Sequence, residues 1–239
     1  MSSNVDFERA WRTKLSGSVR DLAGDDVCEQ VMQGSEPLDA DAPPADVIDW
    51  TRAAVEQLVG AVGEKKAQAI LARCACRYPV DDLQDVREAY EASSDLDVAH
   101  RMLQDRFERF LRDVLELDDE LIDDILARGW GLAGVREGST IIATKIPKSG
   151  NLLAYMEETN SLRRRQLYCH CPRVRELLSS PDRKWPQPVA KAYCHCGAGF
   201  YQGIWEEIVQ APVQVKVLES VLTGDEVCRI AIQIPRPVP

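Results

Sequence analysis

Apolar residues recur three and four positions apart through the first half of the chain. Phe7, Ala10, Trp11 and Leu15 form one such set, and Val47, Trp50, Ala54 and Leu58 another. That spacing stacks them on one face of a helix. Gly63 to Cys76 continues it, with Ala67, Ile70, Leu71 and Cys74 along one side, until Pro79 stops the helix. Asp81 to Ala92 reads as a further helix. From Asp95 onward Val98, Met102, Phe107, Phe110, Leu111, Val114 and Leu115 trace the strongest amphipathic stripe. The acidic run Asp118 to Arg128 predicts a short helix after it. Between Gly34 and Ala45 the sequence GSEPLDADAPPA has little to bury and reads as a loop, with Asp46 expected to cap the next helix.

The period then changes. Gly129 to Val135 and Thr140 to Ile146, joined at Glu137-Gly138, predict a β-hairpin. Leu152 to Leu167, Arg173 to Ser179 and Ala198 to Gln210 predict helices, with a proline-rich loop over Ser180 to Pro188. Near the end Val213, Val215 and Val217 alternate with Gln214 and Lys216. After a turn at Thr223 to Glu226, Cys228, Ile230, Ile232 and Ile234 share one face of a returning strand. The pattern predicts an α+β fold. A mainly helical region covers 1–128, and a cysteine-rich α+β domain with an antiparallel sheet and flanking helices covers 129–239.

A chain of 239 residues buries about 70–75% of its unfolded surface, so a stable core here requires neither disulfides nor metals. The net charge of −10 repels phosphate backbones, and no nucleic acid is expected as a partner. The run Arg163-Arg164-Arg165 is a local exception, read as a solvated helix face or as an anion clamp. No apolar stretch is long enough to span a membrane. The opening MSSNVDFERAWRTKL lacks the apolar centre of a secretory signal, so the expected compartment is the cytoplasm. Thiols stay reduced there, and clustered cysteines read as metal ligands or redox groups before they read as disulfides.

There are eight cysteines, and six of them form the pairs Cys74/Cys76, Cys169/Cys171 and Cys194/Cys196. Chance placement yields well under one such pair. Two pairs enclose a histidine, in Tyr168-Cys169-His170-Cys171 and Tyr193-Cys194-His195-Cys196. On extended backbone residues i and i+2 point to the same side, so each pair offers two thiolates to one ion. Two pairs together make a four-thiolate site for zinc or an iron–sulfur cluster. On a helix the two side chains diverge and this geometry fails. His170 and His195 then become candidate acid–base or substrate-contacting groups. Cys74 and Cys76, beside Arg73 and Arg77, are further ligand candidates, or a separate reactive pair. Cys228 is core filler by its alternation and a ligand candidate by its place. Cys28 reads as helix packing, and His100 as an ordinary helix residue. Redox thiols without metal, and inert buried cysteines, stay open as alternatives.

The stretch from Cys194 to Ile234 (CHCGAGFYQGIWEEIVQAPVQVKVLESVLTGDEVCRIAI) resembles the 4-vinyl reductase-type small-molecule-binding domain. The shared features are a cysteine before a Gly-rich helix start, a Pro-Val strand, a Gly-Asp turn and a Cys-Arg strand. The resemblance implies a haem-NO-binding-like α+β fold and a small-molecule ligand. It also implies a zinc site in some members, with Cys194 and Cys228 at ligand positions. Ser220 stands where a third cysteine ligand belongs, so Cys196, Cys169 or Cys171 would have to substitute. The wider stretch from Cys74 to Cys228 is similar to a cysteine-rich group sometimes labelled L-2-amino-thiazoline-4-carboxylic acid hydrolase.

Three functions follow as expectations. The first is a metal-binding protein, zinc or iron–sulfur, that holds a small organic ligand beside Tyr168, Tyr193, Phe200, Tyr201 or Trp205. The second is a hydrolase or lyase acting on a small C–N or C–S substrate. A cysteine or metal-activated water would attack, His170 or His195 would serve as base, and Lys145, Lys148 or the arginine run would hold a carboxylate. The third is a redox accessory protein. A small-molecule ligand or substrate is the expected partner, with a homodimer as a further option. No phosphate-binding loop is present, and Gly197-Ala198-Gly199 reads as close backbone packing behind the cysteines.

Overall fold

Each amphipathic stripe becomes a helix, and the alternating segments become strands. The computed structural model describes residues 4–35, 42–180 and 184–235. In chain order the first helices are Asn4–Ala23 (α1), Asp25–Met32 (α2), Pro44–Val62 (α3) and Glu64–Ala72 (α4). Gln84–Ser93 (α5), Leu96–Asp113 (α6) and Asp119–Ala127 (α7) follow, then strands Val135–Glu137 (β1) and Thr140–Thr144 (β2). Leu152–Glu157 (α8), Ser161–Tyr168 (α9), Pro172–Leu178 (α10), Gln187–Tyr193 (α11) and His195–Val209 (α12) precede Gln214–Glu219 (β3) and Arg229–Gln233 (β4). The fold is α+β. Among the described residues no helix is long and apolar enough to cross a membrane.

The chain divides into two units that interleave in sequence. The first comprises residues 1–76, 147–199 and 220–226, and the second 77–146, 200–219 and 227–239. In the first unit Trp11, Leu15 and Val19 of α1 are buried with Leu58, Ile70, Tyr155 and Tyr168. Each such aliphatic side chain contributes about 1.5–3 kcal/mol. Helix α11 packs against α3 and α4, which brings the second Cys-His-Cys segment beside the Cys74/Cys76 turn.

In the second unit the antiparallel sheet runs β1-β2-β4-β3. Ile232 lies opposite Ile141 on one side and Val215 on the other, while Ile230 faces Val217. Ile230 and Ile232 are buried and alternate with half-exposed Arg229 and Ala231, as the period of two requires. Asp95 and Asp118 cap α6 and α7 by accepting the Asp97 and Leu121 amides.

Several elements differ from the sequence pattern. The hairpin's first strand is Val135–Glu137 rather than 129–135, with Glu137 paired to Thr140 instead of lying in the turn, because Gly134 holds φ +62° with its Cα pressed on β2. A Cβ there would lie 2.5 Å from the Ile142 carbonyl oxygen. The helix expected over 152–167 breaks into α8 and α9, since the Asn160 side chain accepts the Arg163 amide and restarts the helix. Helix α3 begins at Pro44, already suited to a first helical turn, so Asp46 lies inside that turn. Within the expected loops, residues 36–41 and 181–183 lie outside the described residues. Helix α11 was not expected, and α12 begins three residues before the expected Ala198.

Candidate functional site

The two Cys-His-Cys segments adopt different backbones. Cys169 ends α9 and Cys171 precedes α10, both extended at φ −73°, ψ 130° and φ −71°, ψ 120°. This first pair has the conformation that the spacing argument requires. Cys194 instead caps α11 in a helical conformation, and Cys196 lies in the first turn of α12. One helix runs almost directly into the next, so the second pair diverges. The Cys194 sulfur lies 2.9 Å from the Ser220 hydroxyl. Cys196 instead has Cys171, Cys76 and Cys74 as electrostatic neighbours.

Arg173 organises this cluster. It is 3% exposed, and its guanidinium sits 4.0 Å above the Trp11 ring. Nη1 donates to the Tyr193 hydroxyl at 3.1 Å, and Nη2 donates to the Glu8 carboxylate. The Tyr193 hydroxyl is in turn 3.2 Å from the Cys171 sulfur. Having accepted from Arg173, the phenol has its own proton to offer that sulfur. Burial disfavours the Arg173 charge, but Tyr193, Cys171 and Glu8 outweigh it and hold the guanidinium more firmly protonated than usual. Burial, then Cys171, pushes the Tyr193 hydroxyl well above its ordinary range, against the opposing pull of Arg173. The phenol therefore stays neutral.

Two of the thiols, Cys196 and Cys74, resist ionisation. Burial and then the neighbouring Cys171 push the Cys196 thiol up to about 11, while Trp11 and Arg173 pull against them. Cys74 is raised further, by burial first and then by Cys196, with Lys14 and Arg173 opposing. Cys76, on the same turn, is exposed. Gly199 brings the two segments together, since a Cβ there would lie 1.9 Å from the Ala72 carbonyl oxygen. This is the close packing that the Gly-Ala-Gly sequence suggested. Gly197 has nothing near it.

His195 is buried, and its Nδ1 lies 3.0 Å from the Lys191 carbonyl. Burial lowers its pKa, so it is a neutral ring tied to α11. His170 is exposed between the first pair. Cys28 is buried, its sulfur 3.3 Å from the Ser16 carbonyl, in keeping with helix packing. Cys228, half-buried, precedes β4 in the second unit and raises the Tyr201 hydroxyl after burial does. The arginine run is engaged within its own unit. Arg163 approaches Glu158 at 3.4 Å, and Arg164 approaches Glu226 at 3.8 Å while lying over the Tyr155 ring.

All eight cysteines are thiols, without a disulfide among them. Among the described residues no three His, Cys, Asp or Glu side chains stand close enough together to hold a metal ion. The donor chemistry nevertheless suits a soft ion, and Cys74, Cys76, Cys171 and Cys196 share one unit. Gathering them on one centre requires side-chain movement. Sequence reasoning missed Glu8, Trp11 and Arg173 as parts of this cluster. The available signal was the position of Arg173, a cation two residues beyond Cys171. The chain matches no protein-family model, no curated protein and no solved structure.

Proposed function

We infer that this chain is a soft-metal-binding thiol protein, for zinc first and an iron–sulfur cluster second. Its ligands are drawn from Cys171, Cys196, Cys74 and Cys76. One observation supports the reading: Cys171 lies against Tyr193 beside Arg173, and Cys196 has Cys171, Cys76 and Cys74 as electrostatic neighbours within one unit. Burial first, and then neighbouring thiols, raise the Cys196 and Cys74 pKa values, and a divalent cation would offset that cost as the protons leave. Bound zinc would supply a cross-link between these segments and a Lewis-acidic centre. Arg173 balances thiolate charge, and Tyr193 orients Cys171. Trp11, which carries the Arg173 guanidinium on its face, packs edge to face with Trp50 at 6.5 Å. A small organic ligand beside the cluster belongs to the same reading.

The Cys194–Ser220 hydrogen bond supports the resemblance to the 4-vinyl reductase-type domain. It joins two positions that the resemblance assigns to a zinc site, the second of them occupied by serine. The proximity of Cys171 and Cys196 favours a second reading, a metal-free redox pair.

The test is metal analysis and an absorption spectrum on anaerobically purified protein, beside Cys171→Ser/Cys196→Ser and Cys28→Ser variants. Stoichiometric metal in wild type and Cys28→Ser, lost in the double variant, is expected. Metal retained by the double variant refutes this ligand set. Metal-free protein that forms a Cys171–Cys196 disulfide on mild oxidation selects the redox reading.

A further inference from the structure

We propose that the first unit carries a binding cleft for a small organic carboxylate with a compact apolar body, lined in part by Arg173 and by no cysteine. The cleft has a volume of about 450 Å³ and lies between α1, the start of α3, α9 and α10. That is within the range of small-ligand sites, roughly 300–1,000 Å³. The inference does not rest on a bound metal, because the cleft and its charges are present whether or not the thiols hold one.

Charge argues first. Arg9, Arg12, Arg173 and Arg175 line the cleft, against Glu8 and Glu176. Glu8 is already committed to Arg173. Among the described residues Arg9, Arg12 and Arg175 make no ion pair, although the chain as a whole carries −10. In an acidic protein, three unpaired guanidinium groups facing one concavity favour an anion there.

The arginines are also held in place. Arg12 Nη1 donates to the Ser35 carbonyl at 2.6 Å, and Arg175 Nη1 donates to the Cys169 carbonyl at 3.3 Å. These neutral acceptors fix the side chains without cancelling their charge, and each guanidinium keeps further donors. The Arg173 Nε is buried and has no hydrogen-bond partner, an unsatisfied donor at the cleft wall. The lining also has an apolar part, formed by Pro44, Val47, Ile48 and Pro172. A planar guanidinium fork matches a carboxylate, and the apolar part selects an organic acid over an inorganic ion.

The experiment is calorimetric titration of the full chain with benzoate, benzyl alcohol and inorganic phosphate. Benzoate is expected to bind, the neutral alcohol not to, and phosphate to bind more weakly than benzoate. Arg12→Gln and Arg175→Gln should each weaken benzoate about tenfold, and Glu176→Gln should tighten it a few-fold. Melting temperatures check that each variant is folded. If either substitution prevents folding, exposed Arg9→Gln replaces it with the same expected direction. Three results overturn the proposal. They are no benzoate binding at tens of millimolar, unchanged affinity in a folded Arg12→Gln/Arg175→Gln protein, or phosphate binding as tightly as benzoate. Metal-free protein that still binds benzoate leaves this proposal standing even where the metal reading fails.

Discussion

Two glycines separated by one residue near the start of α12 should respond oppositely to the same substitution. At Gly199 a Cβ would stand 1.9 Å from the Ala72 carbonyl oxygen, 2.6 Å from its carbon and 2.8 Å from its Cα. Ordinary contact begins at 3.4 Å, so α12 and the end of α4 would have to part by about 1.5 Å. Neither side is a flexible side-chain end, and Ala72 is buried. Overpacking a well-fitted core costs about 1–3 kcal/mol. With backbone against backbone, Gly199→Ala should lie at the top of that range, about 3 kcal/mol. Gly197 has open space around it, so Gly197→Ala should instead stabilise by about 0.5–1 kcal/mol through helix propensity. Urea unfolding followed by tryptophan fluorescence gives both values, and thiol titration with a chromogenic disulfide reports on the cluster. Gly199→Ala should also expose Cys74 and Cys196 to that reagent, because the contact that aligns their segments is lost. If the two variants unfold within about 0.5 kcal/mol of each other, the close approach does not hold the site together.

Glu8→Gln should cost about 3 kcal/mol in the same urea assay, since it leaves the buried Arg173 charge without a carboxylate, with only the Tyr193 hydroxyl and the face of Trp11 beside it; a loss below about 1 kcal/mol would refute that pairing. His100 Nε2 donates to the Gly134 carbonyl at 3.1 Å, and burial holds its pKa below 6.5. The unfolded chain therefore binds a proton first, so stability should fall as pH drops below about 6.5, and His100→Gln should flatten that part of the pH profile. In metal-free protein at neutral pH, iodoacetamide should label exposed Cys76 first, as read by peptide mass mapping. Cys196, with its thiol pushed up to about 11, and Cys74, raised further, should react only as the solution becomes strongly alkaline.

The helices and the final hairpin were legible because each depends on local periodicity. The stripe from Val98 to Leu111 became α6, and the alternation around Ile230 and Ile232 became β4. What escaped was set by single contacts. Asn160 splits a continuous apolar pattern into α8 and α9 with one side-chain hydrogen bond. Gly134 shortens β1 because the backbone folds over Ile142, a proximity that no pattern encodes. Helix α11 was hidden behind Pro186 and Pro188, which punctuate a loop in most settings but sit here at the cap and in the first turn of a helix.

The candidate site divided along the same line. The cysteine spacing carried a condition, extended backbone, and that condition separates the two pairs. Cys169 and Cys171 meet it, whereas Cys194 and Cys196 do not, because α11 passes directly into α12. A helical turn in place of a strand sends Cys194 to Ser220 and Cys196 to the Arg173 cluster. In the proposed site the repeated Cys-His-Cys would therefore not act as two equal halves of one cage. It would contribute one thiol from each copy, and the remaining donors would come from Cys74 and Cys76, more than ninety residues before Cys171, on the segment that Gly199 approaches at Ala72. A pairing of this kind is written in tertiary contact rather than in spacing. The sequence mark it does leave is a glycine where a helix would prefer alanine, followed in space by a buried arginine that has no acidic neighbour in its own segment until Glu176.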